Sequence, residues 1–163
     1  MPKGNAMKEK MTIIFFSGTM DKAIAMLILA TTAAAMDMEV SVFATFWGLS
    51  LLKRGRKYRK KGLMRKMLEF MVSGSRNDLP LSDLNMMGMG PMMMKKLMEK
   101  TKTPSIDELM KMAGELKVKF YACSTSCGIM GVDRDNMIDE VAGVIGAAAF
   151  IAKARESKIN LFI

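Results

Sequence analysis

The chain contains no histidine. That absence excludes Ser-His and Cys-His nucleophile pairs and every imidazole metal ligand. Cysteine is scarce as well: Cys123 and Cys127 are the only two in 163 residues. Two thiols are too few for a disulfide scaffold and point to catalytic or redox use. They also fall short of a zinc site, which takes four ligands. Long apolar runs are missing. Residues 23–36 and 141–152 hold 14 and 12 residues, whereas a membrane span needs about 20, so both read as buried helices. Residues 1–10 lack the apolar stretch of a signal peptide. The expected protein is therefore soluble and cytoplasmic, with a flexible terminus over 1–10 and a single domain over 11–163. Acidic residues are absent from 53–66, which holds nine of the 25 basic residues. The other 16 bases balance all 16 acids, so the net charge of +9 belongs to one basic loop on a neutral domain.

Half of the chain is hydrophobic, and its apolar segments alternate in period. Residues 11–16 (Met-Thr-Ile-Ile-Phe-Phe) form a continuous apolar run that suits a strand buried on both faces. Thr19 is placed to cap a helix through Met36, with Asp21 in its first turn. Residues 40–45 read as a second strand and 63–72 as a weakly amphipathic helix. Turn formers crowd 73–83. Pro91 suits the first turn of a helix to Lys100, and Ser105 with Glu108 makes a capping box for a helix to Leu116. Residues 117–122 are a third strand, 137–141 a fourth strand or a helix end, 143–156 a small-residue helix, and 159–163 a last strand. Strands alternating with helices predict an α/β fold. The expected form is a three-layer α/β/α sandwich with a mostly parallel sheet of about five strands.

The chemistry concentrates at residues 121–132, Tyr-Ala-Cys-Ser-Thr-Ser-Cys-Gly-Ile-Met-Gly-Val. Cys123 ends an apolar strand, the position where α/β proteins place working groups. A thiol reacts as thiolate, and its pKa falls near a helix N-terminus or other donors. Backbone N–H groups of residues 124–128, with the hydroxyls of Ser124 and Ser126 and the turn at Gly128, would supply those donors. The competing reading is a small buried hydrophobe. Cys127 lies four residues on. It is a resolving thiol, half of a two-thiolate site for a soft metal, or a passive residue, and the sequence leaves all three open. Ser17-Gly18-Thr19 follows the first strand, but one glycine makes neither a P-loop nor a dinucleotide fingerprint. No cofactor or metal motif is expected.

Several segments together resemble the DsrE/DsrF/DrsH-like family. They are Ser17-Gly18-Thr19-Met20-Asp21-Lys22-Ala23 entering an alanine-rich helix, Phe46-Trp47-Gly48-Leu49, Met87-Gly88-Met89-Gly90-Pro91, the cysteine turn, and Asn160-Leu161-Phe162-Ile163. The combination points to the stand-alone branch that accompanies rhodanese and TusA-type sulfur carriers. The resemblance implies an α/β sandwich, a cytoplasmic sulfur relay and a homo-oligomer. It implies that Cys123 carries the transferable sulfur, as a persulfide or thiosulfonate, and that TusA-type or rhodanese-type proteins are the partners. Relatives tend to carry methionine at the position of Cys127. Thr31-Thr32 replaces their usual Asn-Gly, and the basic loop is longer than theirs.

Seven methionines between 86 and 98 read as a plastic apolar wall near the thiol, a subunit contact, core filling, or thioether ligands for Cu(I). The basic loop has one aromatic residue, Tyr58, and no nucleic-acid-binding module, so it reads as a solvated loop that steers anions or an acidic partner. Asp133, Asp135, Asp139 and Glu140 read as solvating and capping residues. The leading expectation is a sulfur carrier or sulfurtransferase component with no nucleic-acid or membrane partner. The alternatives are a dithiol redox protein using Cys123 and Cys127, and a Cu(I)-binding Cys/Met module.

Overall fold

The computed structural model describes residues 8–55, 73–83 and 85–163. Five strands form one sheet: β1 Lys10–Phe15, β2 Glu39–Ala44, β3 Lys119–Cys123, β4 Val141–Ile145 and β5 Ile159–Phe162. Their order is β4-β3-β2-β1-β5, and every pairing between them is parallel. Among the described residues the α-helices are α1 Met20–Ala35, α2 Met89–Lys100, α3 Ile106–Glu115, α4 Ser124–Met130 and α5 Ala147–Arg155. A 3-10 turn, Phe46–Leu52, follows β2. The expected α/β fold with a parallel sheet is thus the one observed.

Strand alternation sorts the side chains into two unequal layers. Met11, Ile13, Phe15, Val40, Val42, Ala44, Phe120 and Ala122 face the larger layer. There they meet Met26 and Leu27 of α1, Leu109 and Met110 of α3, and Leu49 and Leu51 of the 3-10 turn. Each fully buried Leu, Ile, Met or Phe of this set contributes about 1.5–3 kcal/mol. The intervening residues Phe43 and Cys123 face the other layer, against Phe150 of α5. Phe43 and Phe150 stack with centroids 4.6 Å apart, and Lys153 of α5 sits 5.1 Å over the Tyr121 ring.

Several boundaries differ from those read in the sequence. Glu9 accepts a hydrogen bond from the Glu39 N–H, and Lys8 pairs with Asp37. The described structure therefore starts before residue 11, while 1–7 lie outside the described residues, as does the helix expected at 63–72. The helix expected over 143–156 is two elements, β4 and α5, divided at Gly146. A run such as Val-Ala-Gly-Val-Ile-Gly-Ala-Ala-Ala has no polar face by which period 2 and period 3.6 can be told apart. The fourth strand accordingly starts where 137–141 was expected to end. Met137 instead bridges to Lys53, and the Ile138 N–H bonds to the Leu52 carbonyl. Among the described residues no helix is long and apolar enough to cross a membrane.

The helix starts follow the expected chemistry only in part. Ser105 and Glu108 close their capping box. Thr19 is the N-cap of α1 but makes no side-chain cap bond. Asp21 is held instead by the N–H and hydroxyl of Ser82, at 3.0 and 2.6 Å. The C-termini of α1, α2 and α3 share one device. The N–H groups of Met38, Thr103 and Val118 reach back to the carbonyls of Ala33, Met98 and Ala113. The residue before each, Asp37, Lys102 and Lys117, takes a positive φ of 66, 54 and 62°. A non-glycine residue in that region costs about 1–2 kcal/mol. Lys117→Gly is therefore expected to stabilise the fold by about 1 kcal/mol. The readout is a higher urea midpoint at unchanged slope, and an unchanged or lower midpoint would refute the argument.

Candidate functional site

The site lies at the carboxyl end of the sheet. β3 ends at Cys123, and α4 begins at the next residue with no intervening loop. Cys123 therefore occupies the N-cap position, where the helix's first N–H groups lack intrahelical partners. Register brings in the neighbours. Ile145 of β4 lies opposite Cys123. Ala44 pairs with Ala122, so Thr45, the next residue, comes level with Cys123 from β2. The Thr45 and Ser126 hydroxyls are 2.7 Å apart, which joins the end of β2 to the first turn of α4. Ser126 is buried, and Cys123 is 6 % exposed.

These surroundings set the thiol's acidity. Burial pushes the Cys123 thiol up. The Ser126 hydroxyl and N–H, the Thr45 hydroxyl and the Thr125 N–H all favour the thiolate, and their sum outweighs burial. The net displacement is downward. The neutral thiol makes no capping hydrogen bond, so these donors act on the ionised form. Cys127 behaves in the opposite way. Burial, then the neighbouring Cys123 and Asp133, push it up to about 11. The two free thiols also pack in different places, Cys127 in the larger core and Cys123 against Phe43 and Phe150.

The sequence profile of the DsrE/DsrF/DrsH-like family matches residues 7–162. The chain belongs to this family. It is 38% identical over 156 residues to the uncharacterized protein YrkE of Bacillus subtilis, covering 95% of this chain and 97% of that one. It is 37% identical over 159 residues to the sulfur carrier protein DsrE2 of Allochromatium vinosum, covering 96% and 99%. In fold it is similar to the ychN protein from E. coli, with a TM-score of 0.59 at 11% identity over 95% of this chain and 99% of that one.

Of the residues expected at this site, the structure gathers Cys123 and Ser126 and adds Thr45. Ser124 is exposed and is not among the groups that lower the thiol; a Cβ on Gly146 would sit 3.7 Å from its hydroxyl oxygen. Gly128 lies inside α4 and is exposed, so it does not form the turn expected of it. That turn is made by Gly131, with φ 67°. Thr45 escaped the sequence reading, although a signal was present. Aligned on their alanines, Val42-Phe43-Ala44-Thr45 and Phe120-Tyr121-Ala122-Cys123 place threonine beside cysteine. Thr31 bonds back to the Leu27 and Ile28 carbonyls.

The methionine-rich segment is not the wall of this site. Met86, Met89, Met92, Met93 and Met94 are exposed, and none belongs to the cluster around Cys123. Their exposure also excludes core filling as the main role of the run. A cavity of about 650 Å³ is lined by residues of α1, α2 and α3 with Arg76 and contains neither cysteine. The basic run begins inside the fold. Lys53 is buried with Nζ 3.4 Å from the Ser73 carbonyl, and Arg54 pairs with Asp139. Its remaining cations lie outside the described residues.

The opposite displacements of the two thiols predict an ordered alkylation. A lowered pKa keeps Cys123 ionised at pH values where an ordinary thiol is protonated, and a raised one keeps Cys127 protonated. Iodoacetamide should label Cys123 with a midpoint below the usual thiol range, and Cys127 only as pH approaches about 11. Thr45→Val removes one donor and should move the Cys123 midpoint upward. Equal midpoints for the two thiols would refute the assignment.

Proposed function

We propose that this chain is a sulfur carrier that holds sulfane sulfur as a persulfide on Cys123 and passes it to a partner thiol. One observation carries the reading: the thiol at the end of β3 is displaced toward thiolate by a hydroxyl pair and two backbone N–H groups, while the other thiol is displaced away from it. The family membership and the name of the Allochromatium vinosum relative support sulfur relay as the activity class. In the reaction the Cys123 thiolate attacks the outer sulfur of a persulfide. The donor's S–S bond breaks, its thiolate leaves, and the sulfur stays on Cys123 without net oxidation. Release to an acceptor thiol is the same exchange with roles reversed. TusA-type and rhodanese-type proteins are the proposed partners, and the cytoplasm the proposed compartment, where free thiols persist.

Incubation with polysulfide followed by intact mass tests this reading. The expected result is a gain of sulfur mass that Cys123→Ser abolishes and Cys127→Ser leaves largely in place. Loss of two hydrogens without sulfur gain would favour the dithiol redox protein. Retained copper after exposure to Cu(I) would favour the metal module. Loading abolished by Cys127→Ser alone would invert the assignment.

We also propose a homo-oligomer. Ile28 and Leu29 of α1, four methionines and Leu97 of α2, and Ile151 of α5 are all exposed in the single chain. Gly90 is the one buried residue of α2. On α2 the exposed residues Met89, Met93 and Leu97 follow one helix face, and an exposed apolar face of this kind marks a contact. Light scattering at micromolar concentration should give a mass above 18.1 kDa, and a monomer would count against the proposal.

A further inference from the structure

The turn after β2 is strained and clamped. Phe46 has φ 46°, a region that a bulky residue enters at a cost of about 1–2 kcal/mol. Two glycines hold it there. A Cβ on Gly18 would lie 2.5 Å from the Trp47 carbonyl oxygen, and one on Gly48 would lie 2.2 Å from that of Phe15. The Gly48 N–H bonds to Phe16 and the Thr45 N–H to Phe15, at 2.9 and 3.0 Å. No larger residue fits at either glycine, so the turns after β1 and β2 lock together.

The outcome of that strain is aromatic surface. Phe46 is 38 % exposed, and Trp47, the chain's one tryptophan, is 46 % exposed. Phe16 continues the patch, with ring centroids 5.5 Å from Phe46 and 5.9 Å from Phe162, which is 69 % exposed. Phe16 and Phe162 stand where β1 adjoins β5 and the strand order reverses, the place where open α/β sheets leave a crevice, and Phe46 reaches Phe16 from the end of β2. Here the crevice position carries aromatic rings. Exposed tryptophan and phenylalanine beside a reactive group are the residue types that dominate binding energy in protein interfaces.

We propose that Phe46, Trp47 and Phe162 form the docking surface for an acidic protein that bears a persulfide on its own cysteine. The inference rests on the carrier reading above. Continuity with the thiol identifies the occupant. Thr45, which directly precedes Phe46, bonds to Ser126 within the group of donors around Cys123. Cys123 is nearly enclosed between Phe43 and Phe150, so a protein-borne persulfide reaches it only when its carrier covers the adjacent surface. A small persulfide has no such requirement. The net charge of +9 favours an acidic partner. On docking, the Cys123 thiolate attacks the partner's outer sulfur, the partner's S–S bond breaks, and its cysteine thiolate leaves. The proton of the transferred sulfur stays with it, and no electrons are gained or lost.

The test compares two donors on the full-length chain: a persulfidated TusA-type protein and free cysteine persulfide. Trp47→Ala and, separately, Phe162→Ala should slow sulfur uptake from the protein donor by about tenfold or more. Uptake from cysteine persulfide should stay within about twofold, since neither ring is a donor to the thiol. Uptake by the unaltered chain from the protein donor should slow as salt rises, and that from cysteine persulfide should not. Equal slowing with both donors, or none with the protein donor, overturns the docking proposal. So does a change in oligomer mass in either variant, which would assign the patch to a second copy of this chain. If the unaltered chain loads from neither donor, the carrier reading itself fails, a result distinct from the others.

Discussion

The handedness of parallel crossovers governs this structure. A connection between parallel strands of one sheet is right-handed in nearly every case. From β1 through β4 each strand adds on the same side of its predecessor. The connecting helices therefore stack on one face, where α1, α3 and α4 meet the larger core. The path from β4 to β5 runs back across the whole sheet, so α5 takes the opposite face, where Phe150 packs. Among the described residues one layer is thick and the other is a nine-residue helix. Cys123 alternates with Ala122 and so faces the thin layer, while Cys127, four residues into α4, faces the thick one. The contrast in acidity between two thiols in the same short segment follows from the topology of the sheet.

Much of this was legible in the sequence because each readable element carries a physical signature. β1 and β2 are continuous β-branched and aromatic runs, and the Ser105 capping box marks α3 to the residue. What escaped had no local signature. The helix ends at Asp37, Lys102 and Lys117 use the left-handed conformation without the glycine that normally announces it. The division at Gly146 lies in a stretch without polar residues, where periodicity is silent. At the site, the end of β3 identified Cys123, but which hydroxyl faces it depends on helix phase. Ser126 lies under the thiol while Ser124 points outward, a distinction that needs the start of α4 fixed to a single residue. Thr45 depends on strand order, because only adjacency of β2 and β3 brings it level with Cys123.

The absence of histidine gives the site its character. An imidazolium would place a full positive charge beside the sulfur and favour the thiolate strongly. Hydroxyl and amide dipoles at Cys123 must also overcome burial, and their net effect is a displacement rather than full ionisation by a counter-charge. For sulfur exchange this balance has a use. Nucleophilicity falls as a thiol's pKa falls, while leaving-group ability rises, and the best attacking thiol has a pKa near ambient pH. A carrier must attack when it loads and leave when it unloads. A thiol lowered by weak donors serves both steps, whereas one held deeply ionised would release sulfur readily but attack poorly. Because the donors come from two strand ends, Thr45 after β2 and Ser126 after β3, the balance is set by the register of the sheet.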